Sequence, residues 1–372
     1  MDIGIIGAGW IAEKVYLPLL IKKIGSSKIH VYEVDRERAR FIANKFRVNI
    51  YWDINMFFQK QLLGVIIATP NNSHSFYSDL AICNGKNVLC EKPVALSIKE
   101  YKKTCMLAKK NSLLFMPAYV NRYRNDIEHF LYLCNSGALG NVKSITGKWI
   151  QNKGVPVTRS CGVNRDVSGG GVLLDLGPHI VDICLNIANK DEFSVSRVDL
   201  QYCNEIEKYS ASWFGVEKKT YGYLKNDIET SAGFIAETKE GLTLDVEVAW
   251  ISNDVSGDYT YFKVQGDKRT IELNTLLGFS SDNNLKQIIL RDVKGDVIKA
   301  WKYSIDLAYL AFEKMIDRFI YLSKSKKVLP NRICEYQNIE IIEKVYLYDE
   351  RQRKYLRNRS GWDECKDRES RS

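Results

Sequence analysis

Several features are missing from the sequence, and each absence excludes a class. No uncharged apolar run approaches the roughly 18–20 residues that a membrane-spanning helix needs, so no membrane partner is expected. The first residues, MDIGIIGAGW, lack the basic start and small-residue cleavage site of a secretory signal. Only four histidines are present (30, 74, 129 and 179), and the nine cysteines contain no C-x-x-C pair. No zinc-like spacing can be assembled from them, and no metal site is expected. The cysteine count is odd, and most cysteines lie in apolar runs, as Cys184 does in IVDICLNIA. They read as buried small hydrophobes in a reducing compartment, which makes the cytoplasm the expected location. No internal repeat and no long linker is visible.

What remains is an ordinary globular composition. The 372 residues are 45% hydrophobic and 27% charged, enough for two domains that each bury a core without staples. The net charge is +9. Residues 351–372 carry eight cations and four anions, so the end of the chain, with a polar basic tail over 356–372, supplies nearly half of that charge. The cations are otherwise spread, so no nucleic-acid partner is expected. The excess charge serves solubility or, in a sharper reading, attracts phosphorylated substrates.

Residues 2–6 (DIGII) read as a buried parallel strand that runs straight into Gly7-Ala8-Gly9-Trp10-Ile11-Ala12. This is G-x-G-x-x-A, in which Gly7 permits a tight turn, Gly9 lets backbone approach a pyrophosphate, and Ala12 keeps the helix close to the strand. The helix start offers N–H groups to the phosphates, with Trp10 and Ile11 in its first turn. A second strand is expected over residues 28–34. Glu33 at its tip would accept hydrogen bonds from a ribose diol and repel a 2′-phosphate, which favours NAD over NADP. Residues 64–68 give a further strand ending in Thr69-Pro70-Asn71-Asn72-Ser73-His74, a polar loop where ligands lie in open α/β sheets. A helix follows, then a strand at 87–90 that ends in Glu91-Lys92-Pro93. Strand and helix alternate up to a last parallel strand at 113–119, which argues for a doubly wound sheet over residues 1–120.

Downstream, GGGVLLDLGPHIVD carries Asp175 and His179 four residues apart, on one face if the segment is a continuous helix. Pro178 between them softens that expectation. An imidazole titrates in the neutral range, and His179 has a nearby carboxylate, which suits proton transfer. From about residue 142 the texture turns β-rich, with runs at 142–150, 196–201, 231–238, 242–249, 259–265, 270–273 and 287–291. These read as a largely antiparallel sheet with one covered face. Helices are expected at 307–323 and 335–355. His30 and His129 have no site role, and His74 is expected to line the cofactor site without doing chemistry.

Taken together, GAGWIA, ATPNNSHSFYSDLAICNGKNVLCEKPVAL and GGGVLLDLGPHIVD resemble the Gfo/Idh/MocA family of glucose–fructose oxidoreductase- and inositol dehydrogenase-like enzymes. The resemblance runs from residue 2 to about residue 354. It implies an α/β architecture: an N-terminal Rossmann doubly wound parallel sheet plus a C-terminal α+β domain (121–355) with a large, mostly antiparallel sheet. It implies NAD(P)-dependent hydride transfer at a carbinol or carbonyl carbon of a sugar, sugar derivative or polyol. Lys92 would be the active-site lysine. His179 would carry the proton, with Asp175 orienting it or bonding the substrate. Gly7, Gly9, Trp10, Ile11, Glu33, Thr69, Pro70, Asn71, His74, Glu91 and Lys92 are the expected cofactor contacts. Lys92, Arg122, Asn164, Arg165, Asp175 and His179 are the expected substrate contacts, although Arg122 reads equally well as a salt-bridge residue. Association through the open sheet face, as a homodimer or homotetramer, is also implied. Rival readings are an imine reductase of a natural-product pathway, a redox-neutral lyase or glycosidase that borrows and returns the hydride, and a non-catalytic NAD-binding regulator.

Overall fold

The computed structural model describes residues 1–152, 164–190, 192–203, 205–207, 223–252, 257–279, 286–303, 308–325 and 333–349. The basic tail, three of the nine cysteine side chains (161, 334 and 365) and the end of the last expected helix lie outside them. The chain opens with β1 (Asp2–Ile6), whose four last residues are buried. A helix begins at Trp10, passes through a π-helical turn (Ala12–Tyr16) and continues as α1 (Leu17–Ile24). There follow β2 (Ile29–Tyr32), α2 (Arg36–Phe46), β3 (Asn49–Tyr51), α3 (Ile54–Phe58), β4 (Leu62–Ile67), α4 (His74–Cys83), β5 (Asn87–Cys90), α5 (Ile98–Lys110), β6 (Phe115–Pro117) and α6 (Asn125–Asn135). The six strands are all parallel, in the order β3-β2-β1-β4-β5-β6. This is the doubly wound order that binds dinucleotides at its switch point, between β1 and β4. Short β3, with every residue half-buried, has too little apolar signal to be read from sequence.

The second sheet starts with β7 (Val142–Ile150). Next come three helices, α7 (Arg165–Ser168), α8 (Val172–Asp175) and α9 (Gly177–Ala188). The strands that follow are β8 (Ser194–Tyr202), β9 (Glu205–Glu207), β10 (Tyr223–Lys225), β11 (Glu229–Glu237), β12 (Thr243–Ala249), β13 (Tyr259–Gly266), β14 (Thr270–Thr275), β15 (Gln287–Arg291) and β16 (Val297–Lys302). β9 and β10 pair with each other. The other eight form one sheet in the order β16-β15-β14-β13-β7-β12-β11-β8. All its pairings are antiparallel except β7 with β12. Strict in–out alternation along β12 to β14 turns Leu244, Val246, Phe262, Val264, Ile271 and Leu273 into one core. The nearly wholly buried α9 packs against that face.

Two helices close the chain, α10 (Ala308–Ser325) and α11 (Ile333–Tyr348). α10 follows the second sheet in sequence but packs in the core of the first, where Phe312, Met315, Ile316 and Phe319 are buried with Ile3, Ile5 and Ile66. Burial of each such large apolar side chain contributes about 1.5–3 kcal/mol, so this return crossing ties the two halves together. No single helix among the described residues is long and apolar enough to cross a membrane.

One expectation needs correction. Asp175 and His179 do not share a continuous helix. Asp175 ends α8, Leu176 breaks the run, and Gly177-Pro178 opens α9. Proline sits where its missing N–H costs nothing, so it starts a helix here and does not kink one.

Candidate active site

A cleft of about 1190 Å³ runs along the carboxyl ends of the first sheet and is closed on its far side by the second. At one end lies the glycine loop. Gly7 has φ +91°, and a Cβ there would stand 2.6 Å from the Ala68 carbonyl, so only glycine makes this turn against β4. Gly9 is different. A Cβ added to it would meet nothing closer than 3.9 Å, so that atom would project into the open cleft. This is the room a pyrophosphate needs, beside the first amides of the helix that starts at Trp10.

Glu33 lies one residue past the end of β2, at the cleft rim. Its carboxylate accepts from the Ala8 amide (2.7 Å) and the Asp35 amide (2.9 Å), which clamps the glycine loop to β2. Arg38 on α2 braces the same loop, donating to the Ala8 carbonyl (2.6 Å) and to Glu13 (2.6 Å). Sequence reading missed Arg38, because its only signal is a helix position one turn beyond the acidic strand tip. Burial pushes the Glu13 carboxyl up, but hydrogen bonds from Lys45 and Arg38 outweigh it and bring the pKa down to about 2.

Thr69, Pro70, Asn71 and His74 line the middle of the cleft. Asn71 donates across to the Ser168 carbonyl (2.9 Å), bridging the first sheet to α7. His74 is 1% exposed and is held at both ring nitrogens, to the Pro93 and Thr69 carbonyls (2.8 Å each). It latches the two loops at the carboxyl ends of β4 and β5. Glu91 accepts from the Tyr16 hydroxyl (2.6 Å) and the Lys92 amide (3.1 Å), and burial raises its pKa.

Lys92 follows the end of β5, joined to Pro93 by a cis peptide. Its ammonium donates to Asp175 twice, to Oδ1 (2.7 Å) and to the main-chain carbonyl (2.8 Å). An ammonium has three protons, so one is left for a ligand. Asp175 also accepts from Trp250 Nε1 (2.9 Å). Burial favours its neutral form, but the Lys92 cation and these hydrogen bonds hold its pKa below the usual carboxylate range.

His179 stands beside this pair, its ring 5.9 Å from that of Trp149. It makes no hydrogen bond with Asp175, and its Nδ1 has no partner among the described residues. Burial, then the Lys92 cation, lowers its pKa to about 3. The neutral-range titration expected from sequence is therefore corrected. The imidazole stands neutral, and Asp175 is engaged with Lys92 and not with His179.

Three of the expected substrate contacts lie outside the described lining of the cleft. Arg122 does not line the cleft. Its guanidinium holds both carboxylate oxygens of buried Asp182 and one of Glu335 (3.0 Å). It follows β6 in a turn whose short reach leaves it facing α9 and α11. Asn164 caps α7 through the Asp166 amide (2.9 Å), and Arg165 donates to the Asp227 carbonyl. Neither lines the cleft.

The glycine triplet explains how α8 is set. A Cβ on Gly171 would fall 2.0 Å from the Glu229 carbonyl oxygen, and one on Gly170 would fall 2.2 Å from the Tyr346 hydroxyl. Fully buried Glu229 accepts at one oxygen from the Gly171 amide (2.9 Å), the Leu173 amide (3.1 Å) and the Tyr346 hydroxyl (2.7 Å). It fixes the start of the helix whose end carries Asp175. Among the described residues, no cluster of His, Cys, Asp and Glu could hold a metal ion.

Fold and cleft thus define a dinucleotide-binding protein with a charged lysine–aspartate pair at the far end of the nucleotide groove. Residues 1–119 match the oxidoreductase family with an NAD-binding Rossmann fold, and residues 131–272 match the GFO/IDH/MocA C-terminal domain. The chain belongs to the Gfo/Idh/MocA family of NAD(P)-dependent oxidoreductases. It is 24% identical over 239 residues to the D-glucoside 3-dehydrogenase of Escherichia coli, covering 60% of this chain and 66% of that one. Its fold is similar to that of KijD10, a 3-ketoreductase from Actinomadura kijaniata solved with NADP and TDP-benzene. That likeness has a TM-score of 0.73 at 16% identity and covers 93% and 96% of the two chains. It is also similar to a levoglucosan dehydrogenase solved with NADH and levoglucosan, with a TM-score of 0.72 at 18% identity and coverage of 95% and 98%.

Proposed function

We propose that the protein oxidises or reduces a secondary carbinol or carbonyl carbon of a sugar or sugar derivative. The observation that carries this reading is the Lys92 ammonium, fixed by Asp175 with one proton unspent, in the same cleft as the dinucleotide loop. Gly9, the first amides of the helix and Glu33 would hold the pyrophosphate and adenosine ribose. When bound there, a nicotinamide supplies the two-electron acceptor or donor at its C4. Through its third N–H, Lys92 donates a hydrogen bond to the substrate oxygen and stabilises the negative charge that develops on it, keeping its own proton. The neutral imidazole of His179 accepts the hydroxyl proton in oxidation and returns it in reduction. As the substrate oxygen turns anionic it offsets the Lys92 charge, which removes part of what holds the His179 pKa down.

NAD is the favoured cofactor, because Glu33 and Asp35 place two carboxylates at the rim where a 2′-phosphate would lie. The one cation there among the described residues, Arg38, is committed to Glu13 and to loop carbonyls. Of the relatives named above, one is a D-glucoside 3-dehydrogenase, one a levoglucosan dehydrogenase and one a 3-ketoreductase, which makes C3 of a pyranose the first carbon to test. Self-association through the uncovered, mixed-charge face of the eight-stranded sheet, and a cytoplasmic location consistent with six unpaired cysteines among the described residues, belong to the same reading.

The test is nicotinamide absorbance with NAD and NADP against glucosides, sugar phosphates, nucleotide sugars and inositols, with Lys92→Ala alongside. NADH formation from one sugar is expected. The variant should lose about 10²–10³-fold in kcat while its NAD affinity stays within about twofold. If kcat survives in the variant, the role given to Lys92 is wrong.

A further inference from the structure

The one parallel pairing in the second sheet sets Ile150 of β7 beside Ala249 of β12, so both strands end on the same edge. Each strand is followed by a residue that enters the cleft, Gln151 and Trp250. Gln151 is tied to this edge by its own amide, which donates to the Ala249 carbonyl (2.9 Å). Trp250, next in the chain to Ala249, donates to Asp175, and Asp175 holds Lys92. Trp149 and Gln151 are two apart at the end of an extended strand and so project to the same side. Trp149 packs on His179. Gln151 is thereby placed on the wall that carries Lys92, Asp175 and His179.

Its side chain is 2% exposed, and its amide oxygen has no hydrogen-bond partner among the described residues. Buried side-chain amides are rarely left so, because the lost hydration is not recovered. A group that is absent from the protein and present in the ligand completes it. The chemistry of that group follows from the lining. Lys92 and Arg38 are the only Lys or Arg among the described residues that line the cleft, and both are committed to carboxylates. Lys92's remaining N–H faces the reacting oxygen, so an anionic substituent at this end would find no further cation among the described residues. An amide that both donates and accepts suits a neutral hydroxyl, which does the same.

We infer that Gln151 is a specificity-determining residue that binds a hydroxyl on the carbon adjacent to the reacting one, so that the site selects an uncharged vicinal diol. This inference rests on the sugar reading above. The test uses the panel sugar that turns over, methyl D-glucopyranoside being tried first, and its two mono-deoxy analogues flanking the oxidised carbon. Wild type, Gln151→Met and Gln151→Asn are compared by kcat/KM and by sugar binding to the NADH complex, read from tryptophan fluorescence. Wild type should prefer the parent sugar over one analogue by about 10–100-fold, the penalty of stranding a buried amide. Gln151→Met should lose the parent sugar by a similar factor yet handle that analogue within about threefold of wild type, so the preference collapses. Gln151→Asn, with the amide drawn back by one methylene, should lose it too. Wild-type discrimination that survives in both variants overturns the inference while leaving the sugar reading intact. Turnover of no panel sugar by wild type overturns the sugar reading, and this inference with it.

Discussion

The state of His179 can be tested without knowing the substrate. Its pKa is about 3 in the folded protein, against 6.5 for a solvated imidazole, the value it takes in the unfolded chain. The folded value is the lower, so below pH 6.5 the unfolded chain binds a proton that the folded one refuses. Stability tied to His179 is therefore complete above about pH 6.5 and is lost progressively as pH falls toward 3. At about pH 5 the difference is close to 1.5 pKa units, or about 2 kcal/mol. A chain of 372 residues has a melting entropy of about 0.8 kcal/mol/K, so that penalty lowers Tm by about 2–3 °C. His179→Gln cannot titrate and should be spared it. Calorimetric melting of both proteins between pH 7.5 and 5 measures the difference, and the other titrating groups cancel in the comparison. The expected result is a wild-type Tm that falls about 2–3 °C further than that of the variant. Parallel profiles would mean that His179 titrates like an exposed imidazole. The neutral, unpaired ring beside Lys92 would then be the wrong starting state for proton transfer.

Three further outcomes follow from the packing. Arg122→Leu removes the guanidinium that holds the buried Asp182 and the half-buried Glu335 carboxylates, so it should cost about 3–5 kcal/mol in thermal or urea unfolding. Its substrate KM at low temperature should stay within about twofold of wild type, because Arg122 lies outside the cleft. Gly171→Ala drives a methyl against the Glu229 carbonyl and should destabilise by about 1–3 kcal/mol, with loss of kcat as α8 shifts. Gly9→Ala, by contrast, should melt like wild type and show its effect in NAD affinity.

Local pattern made the first sheet legible. Short apolar runs ending in glycine or polar loops announce parallel strands, and a strand's carboxyl end is where its chemistry lies. Lys92 and the glycine loop could be placed from that alone. The roles inside the cleft were less legible because they depend on partners distant in sequence. Asp175 and His179 looked like a couple because they are four apart. Yet the bond that matters joins Asp175 to Lys92, 83 residues away. Arg122 read equally well as a substrate contact or a salt-bridge residue, and its partners Asp182 and Glu335 are brought to it only by α9 and α11. Gln151 and Trp250 were missed because β-rich runs do not reveal which pair of strands is parallel. Only that pairing puts both strand ends on one wall.

Lys92 is therefore positioned from both sheets at once. β5 delivers Lys92, but its ammonium takes its bearing from Asp175 at the end of α8. The start of α8 is fixed by Glu229 of β11, whose carboxylate also holds Tyr346 of α11. Burial raises the Glu229 pKa, and the Gly171, Leu173 and Tyr346 donors converge on one of its oxygens. A neutral amide oxygen could accept the same three bonds, so it is the shape and acceptor position of Glu229 that set α8, more than its charge. The glycines at 170 and 171 are required for the same reason. They let the chain close onto Tyr346 and Glu229, and so belong to the lysine's support more than to any phosphate cradle. The two glycine motifs in the sequence thus do opposite work. Gly9 keeps space open for a ligand, and Gly171 removes space so that a helix can be held still.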